Sequence, residues 1–159
     1  MRSVTILVDV QNIYYTCREA YQRNFDYNAF WRQVSADRTV VKAIAYAIDR
    51  GDEKQRQFQN ILRAIGFEVK LKPFIQRADG SAKGDWDVGI TIDAIEYGQR
   101  SDVLVLASGD GDFALLAETL ITKYLTEVEI YGVAGLTAQA LSNAASRFIA
   151  IEEPLLLPK

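Results

Sequence analysis

Apolar and polar positions follow two alternating patterns along the chain. Short apolar runs, the first over residues 4–8, are typical of strands buried on both faces of a sheet. Between these runs, apolar residues recur at helical spacing, as do Phe58, Ile61, Leu62 and Ile65. Residues 67–72 alternate apolar and charged side chains, which predicts a strand with one wet face near the edge of a sheet.

These patterns predict an alternation of strands and helices over the whole chain. The predicted strands cover residues 4–8, 40–48, 67–72, 103–107, 128–133 and 148–151. The predicted helices cover residues 12–24, 53–65, 86–98, 113–124 and 137–145, with one more beginning near Tyr27 and a polar connection over residues 73–84. Such alternation predicts an α/β fold, a Rossmann-like three-layer α/β/α sandwich with a mostly parallel central sheet.

The length of 159 residues favours a single domain, predicted over residues 1–153 and followed by an apolar C-terminal tail over residues 154–159. The tail either covers a neighbouring subunit in a homodimer or folds back on its own domain. The chain has no run of about 18 apolar residues that would predict a membrane span. It also shows no signal peptide, and with one cysteine we expect a cytoplasmic protein without a membrane partner.

The absence of histidine restricts the chemistry more than any other compositional feature. The chain has 0 histidines and a single cysteine, Cys17, which excludes Ser-His-Asp and Cys-His catalysis and histidine–metal ligation within the chain. A formal net charge of -3 does not favour a strongly basic nucleic-acid platform. Any catalysis therefore depends on carboxylates, lysines, hydroxyls, backbone dipoles or a metal held by oxygen.

Acidic side chains follow several of the predicted strands. Asp9 ends the first strand, and the strand over residues 103–107 runs into Ser108-Gly109-Asp110-Gly111-Asp112. In a parallel sheet these carboxyl ends share one edge, where ligands bind. Converging carboxylates repel one another unless a cation or protons offset their charge, and hard oxygen ligands select Mg²⁺ or Mn²⁺. Such ions support phosphodiester hydrolysis without histidine.

Several of these residues also fit a purely structural role. Asn12 and Asp112 could each serve as the N-cap of the helix that follows. Asp49 and Asp52 fit a turn and a helix cap better than a metal site. Asp93 lies six residues beyond Asp87, about 240° around the helix and about 9 Å along its axis. The two carboxylates therefore lie too far apart to bind the same ion readily.

Three short motifs together resemble one protein family. They are Asp9-x-x-Asn12, Lys83-Gly84-x-x-Asp87-Val88 and Ser108-Gly109-Asp110-Gly111-Asp112-Phe113. In this combination the chain resembles the NYN domain of the PIN-like nuclease superfamily, more narrowly its LabA-like branch, over almost its whole length. The resemblance implies a metal-dependent ribonuclease that acts on RNA, with Mg²⁺ or Mn²⁺ as cofactor.

Carried over by position, the resemblance assigns the site to five residues. Asp9, Asp87, Asp110 and Asp112 would bind the metal, and Asn12 would orient one of them or the scissile phosphate. Many relatives place one residue between the glycine and the aspartate, whereas here Asp85-Trp86 intervene, so either Asp85 or Asp87 faces the metal.

Basic residues predict where RNA would contact the chain. The candidates are Lys70, Lys72, Arg77 and Lys83, in a segment whose only acidic residue is Asp79. The competing hypothesis is a regulatory module that keeps the fold, binds RNA or protein partners, and cleaves slowly or not at all. LabA-like relatives are linked to regulation, and both hypotheses require the same acidic residues.

Overall fold

The computed structural model describes residues 1–73, 75–76, 82–83 and 85–159, and for residues 73, 75, 76, 82 and 83 it describes the backbone alone. The strands are β1 Arg2–Asp9, β2 Arg38–Asp49, β3 Glu68–Pro73, β4 Ile75–Gln76, β5 Ala82–Lys83, β6 Val103–Ala107, β7 Glu127–Gly132 and β8 Arg147–Ala150. The helices are α1 Val10–Tyr21, α2 Tyr27–Ser35, α3 Glu53–Ile65, α4 Asp87–Gly98, α5 Ala114–Tyr124 and α6 Gln139–Ala144.

The central sheet has six strands in the order β3-β2-β1-β6-β7-β8, and every pairing in it is parallel. β1 lies beside β6, where Val8 pairs with Ala107. β3, the strand with alternating charges, lies at the sheet edge as its pattern predicts. The carboxyl ends of β1, β2 and β6 therefore share one edge of the sheet. The predicted parallel α/β sheet is confirmed.

Helices cover both faces of the sheet. Val4, Ile6 and Val8 of β1 pack in one core layer with α1, α2 and α3, while Leu7 packs in the other with α4, α5 and α6. Successive strand side chains point to opposite faces, so a strand that is apolar at every position needs both layers. This accounts for the continuous apolar runs in the sequence and confirms the three-layer sandwich.

Three of the differences between the structure and the predicted elements concern the site and the connection that precedes α4. α1 begins at Val10, two residues earlier than predicted, because the side chain of Asp9 is its N-cap. A 3-10 turn over Gly111–Phe113 precedes α5, where the sequence predicts a helix from Phe113. The predicted polar connection over residues 73–84 contains the antiparallel pair β4 and β5, in which Ile75 pairs with Lys83. Two-residue strands give too short a pattern to recognise in a sequence.

The C-terminal residues pack against the segment between α1 and α2. The amide of Asp26 donates to the carbonyl of Leu155 (2.8 Å), and the amide of Leu157 donates to the carbonyl of Asn24 (2.8 Å). Leu155 and Leu156 are buried in the core layer that contains α1 and α2. Of the two roles open for the tail, it takes the second in this structure and covers its own domain. Among the described residues, no helix has the length and apolar character needed to cross a membrane.

Candidate metal centre

The four aspartates of the predicted site lie on three elements that meet at the carboxyl edge of the sheet, and Asn12 lies on α1. Asp9 is the last residue of β1, and Asp87 is the first residue of α4. Asp110 and Asp112 lie in the loop between β6 and α5. Because β1 and β6 are adjacent parallel strands, their ends bring the aspartates of the first and third motifs to the same place.

Asp9 is held from two sides. Its Oδ1 accepts from the amide of Asn12 (3.4 Å), and its Oδ2 accepts from the Oγ of Ser108 (3.2 Å). Burial raises the pKa of Asp9 to about 6, because the charged form loses solvation. The two hydrogen bonds lower this pKa, and the negative charges of Asp110 and Asp85 raise it further.

Asn12 joins α1 to the loop that carries two of the aspartates. Its side-chain Oδ1 accepts a hydrogen bond from the amide of Gly109 (2.9 Å). The cap of α1 is Asp9, so the capping role considered for Asn12 does not apply. Asn12 therefore fixes the position of the loop that begins at Ser108.

The loop after β6 is fixed by its own side chains. The Oδ1 of Asp110 accepts from the amide of Asp112 (2.9 Å), and the amide of Asp110 donates to the Oγ of Ser108 (3.2 Å). Asp110, rather than Asp112, is thus the cap at this position. A Cβ on Gly109 would lie 2.7 Å from the carbonyl oxygen of Leu136, so only glycine fits there without a shift of the backbone.

Three carboxylates come close enough to share one ion. Asp87, Asp110 and Asp112 each offer an oxygen, and these oxygens lie within 4.8 Å of one another. Burial, followed by the negative charges of Asp110, Asp85 and Asp9, raises the pKa of Asp87 to about 7. A divalent cation would offset this repulsion, and an all-carboxylate oxygen set suits Mg²⁺ or Mn²⁺. The residues present therefore fit a hard divalent ion.

Asp9 adjoins this group of three and does not belong to it in the described structure. It reaches the group through Ser108, which also binds the amide of Asp110. Of the two neighbouring aspartates at the start of α4, Asp87 lies in the group of three. Asp85 is exposed and accepts a long hydrogen bond (3.4 Å) from the amide of Asp87, and its charge raises the pKa of both Asp87 and Asp9.

The start of α4 is held by Trp86 rather than by a capping side chain. The Nε1 of Trp86 donates to the carbonyl of Ala47 (2.8 Å) at the end of β2. The Nζ of Lys72 lies 4.7 Å from the centre of the Trp86 ring and donates to the carbonyl of Asp85 (2.9 Å). These contacts tie Asp87 to the end of the sheet.

Other acidic residues take structural roles. Asp93 is 8% exposed and accepts from the hydroxyl of Tyr46 (2.8 Å) and from the Nζ of Lys70 (2.7 Å). Asp52 is the N-cap of α3, and the Oδ1 of Asp49 accepts from the amide of Gly51. The turn and cap roles favoured for Asp49 and Asp52 are thus the ones they have.

The structure describes the side chains of two of the four residues predicted to contact RNA. Lys70 pairs with Asp93, and Lys72 contacts Asp85 and Trp86, so both ammonium groups already have partners within the domain. Arg77 lies outside the described residues. Lys83 belongs to β5, but its side chain is not among those described.

Ser108 and Trp86 support the site, although neither is among the residues that the sequence predicts for it. Ser108 is fully buried and connects Asp9 to Asp110, whereas Trp86 fixes the helix that carries Asp87. The available signal for Ser108 was its position, directly after a buried strand and at the start of the acidic motif. Nothing in the local sequence indicated that Trp86 reaches β2.

Known proteins are similar to this chain in sequence, in fold or in both. A protein of unknown function from Vibrio parahaemolyticus has a crystal structure that matches with a TM-score of 0.93 at 58% identity, over 98% of this chain and 96% of that one. The low amplitude and bright protein LabA of Synechococcus elongatus is 29% identical over 94% of this chain and 84% of its own length. MurG of Acinetobacter baumannii, at 16% identity and a TM-score of 0.51 over 100% of this chain and 44% of its own, shares the fold alone.

A family model shows which protein family this chain belongs to. The model of the NYN domain matches residues 3–152, which is nearly the whole chain and includes all three acidic motifs. LabA extends the likeness over almost the same length. The chain therefore belongs to the NYN domain family, as a LabA-like member.

Proposed function

We propose that this protein is a ribonuclease that hydrolyses phosphodiester bonds with Mg²⁺ or Mn²⁺. The observation that carries the proposal is the group formed by Asp87, Asp110 and Asp112, with Asp9 beside it, at the carboxyl edge of a parallel sheet. Membership of a nuclease-like family supports it, and metal ions held by carboxylates can cleave a phosphodiester without histidine.

Each residue of the site has a distinct part in this proposal. Asp87, Asp110 and Asp112 hold the cation, and Asn12 keeps their loop in place through the amide of Gly109. Asp9 adds a carboxylate at the same edge, oriented by Ser108. A bound divalent cation supplies charge that stabilises the transition state and acidifies water. Burial raises the pKa of Asp9 to about 6, nearer to neutral pH than that of an ordinary carboxyl, which suits a group that accepts a proton.

The proposal is tested by cleavage of single-stranded and structured RNA with Mg²⁺, with Mn²⁺ and with chelator. We expect cleavage with either ion, none in chelator, and none by the Asp110→Asn variant. Asp26→Asn is the matched control, because Asp26 is likewise a helix N-cap but lies at α2, away from the site. Cleavage in chelator, or equal cleavage by wild type and Asp110→Asn, would contradict the proposal. No cleavage of any RNA with either ion would favour the regulatory module.

A further inference from the structure

The two edges of the central sheet differ in character. β3 ends the sheet on one side, and its charged side chains alternate with apolar ones, which is a common protection of an edge strand against pairing with another chain. β8 ends the sheet on the other side, and its last three residues are apolar and half-buried. Among the described strands, β8 pairs with β7 alone. Its outer edge is therefore free to pair and lacks the charges that protect β3.

The outer edge of β8 presents hydrogen-bonding groups of two residues. The amide of Ile151 donates to the carbonyl of Gly132 in β7 (2.9 Å). Because the backbone groups of successive strand residues point to opposite sides, those of Ile149 also face β7. The N–H and C=O groups of Phe148 and Ala150 therefore point away from the sheet. A further strand can add here through main-chain hydrogen bonds.

A second copy of β8 fits this edge in an antiparallel register that satisfies every outward backbone group. In this register, Phe148 of each copy lies opposite Ala150 of the other. Residues paired in this way exchange two hydrogen bonds, so the two pairs make four and use both outward N–H groups and both outward C=O groups of each strand. Ile149 then lies opposite Ile149 of the other copy, on the two-fold axis.

The side chains suit the same register. Phe148 packs with the core layer of α4, α5 and α6, and the small Ala150 of the other copy leaves space beside its ring. Ile149 packs with the opposite layer, where it meets its own counterpart in a cross-strand pair of β-branched residues. Arg147 lies opposite Ile151, so the two arginines do not face each other. β8 is thus complementary to itself in backbone groups, side-chain size and charge.

We infer that this protein forms a homodimer in which β8 pairs with β8 of a second copy, so that two six-stranded sheets become one continuous sheet. Four hydrogen bonds and a few side chains make a small interface, and we expect a dissociation constant on the order of 100 µM. At the lower concentrations ordinarily used for unfolding measurements, the protein is then monomeric. The inference does not depend on the proposed hydrolysis.

Sedimentation equilibrium below and above this concentration tests the dimer. We expect monomer and dimer alone, because pairing of β8 with β8 leaves only the charged β3 edges exposed. Ile149→Lys places two like charges on the axis and should weaken dimerisation about tenfold. Val41→Lys is the control and should dimerise as wild type does, since Val41 is 38% exposed on β2, four strands away from β8.

Two further measurements test the register. A mixture of Ile149→Lys and Ile149→Glu should regain the dimer that each variant alone lacks, because unlike charges meet on the axis only in the mixed dimer. In wild type, hydrogen exchange at the amides of Phe148 and Ala150 should slow as protein concentration rises. Exchange at the amide of Ile149 should not change, since this amide already faces β7.

Four outcomes would overturn the inference. They are a protein that stays monomeric at every concentration, undiminished dimerisation of Ile149→Lys, a mixture of the two charged variants that stays monomeric, and dimers in which exchange at Phe148 and Ala150 is unchanged. Species larger than a dimer would also contradict it, because they would require β8 to pair with β3 of the next copy in an open chain.

Discussion

At the scale of single residues, the site holds carboxylates closer together than their charges favour. The pKa of Asp9 is raised to about 6 and that of Asp87 to about 7, in both cases chiefly by burial and then by neighbouring negative charge. The hydrogen bonds from Ser108 and the amide of Asn12 offset part of this cost at Asp9. The folded protein therefore favours either protons or a cation at this edge.

The pH dependence of stability follows from these two shifts. Both folded-state pKa values lie above the ordinary value of 3.8, so the folded state binds protons more tightly than the unfolded state. That stabilisation is fully present below the ordinary pKa and is lost as the pH rises through about 6 and about 7. In chelator, we expect denaturant midpoints to fall across this window in wild type and to fall less in Asp87→Asn. Asp26→Asn should follow wild type, and identical slopes in all three would contradict the prediction.

The Asp110→Asn variant removes one charge from the group formed by Asp87, Asp110 and Asp112. It should weaken metal binding without destabilising the fold. Asparagine can still accept the hydrogen bond from the amide of Asp112, so Asp110→Asn retains the cap. Because repulsion decreases, we expect an unchanged or higher melting temperature without metal and a smaller stabilisation by Mn²⁺. The measurement is thermal unfolding with chelator and with Mn²⁺. An equal shift by Mn²⁺ in wild type and variant would mean that Asp110 serves only the turn.

At the scale of elements, the loop after β6 is held at both of its sides. Asn12 of α1 binds the amide of Gly109, and the carbonyl of Gly109 accepts from the amide of Ala138 (3.0 Å) before α6. The loop thus sits between a helix of one layer and a helix of the other. This double attachment fixes Asp110 and Asp112 relative to Asp9.

Gly109→Ala tests this attachment. The new Cβ would lie 2.7 Å from the carbonyl oxygen of Leu136, so the loop must move, at a cost of about 1–3 kcal/mol. We expect reduced stability in denaturation and weaker Mn²⁺ binding in calorimetry. Gly51→Ala is the comparison, because Gly51 has open space and a positive φ of 76° in another loop. It should lose stability without losing affinity for Mn²⁺, and equal affinity in both variants would contradict the prediction.

At the scale of the whole molecule, the parallel sheet brings the site residues to one edge, and the C-terminal tail packs in one of the two core layers. Leu156 forms an isolated antiparallel bridge with Phe25, and both are buried. The side chain of Arg23 also donates to the carbonyl of Leu157 (2.7 Å). The tail therefore belongs to the core that supports α1 and α2.

Leu156→Ala should cost about 2–4 kcal/mol of unfolding free energy, because it leaves a cavity in that layer. Ile61→Ala is the control: Ile61 is 54% exposed on α3, and its replacement should change stability by about 0.5 kcal/mol or less. Denaturation at two protein concentrations is the measurement. A tail that folds on its own chain gives concentration-independent midpoints, whereas a tail exchanged between subunits would make them depend on concentration.

Most of the fold was predictable from the chain alone. The apolar runs and the helical spacing identify the six strands of the sheet and the six helices, since burial between two layers leaves a strong signal in each segment. The shifted start of α1 and the turn at Gly111 depend on which of two nearby polar side chains acts as the cap. That choice is a matter of about one hydrogen bond, and the residue types permit either outcome.

The sequence by itself determined that carboxylates end the central strands, because each strand and the acid that follows it are adjacent in the chain. Only the tertiary structure decided that carboxylate oxygens of Asp87, Asp110 and Asp112 lie within 4.8 Å of one another. It also decided that Asp9 is connected to this group through Ser108. It also decided that Lys70 pairs with Asp93. These choices depend on contacts between residues far apart in the chain, whose distances are set by strand order and helix packing, and no local pattern records them.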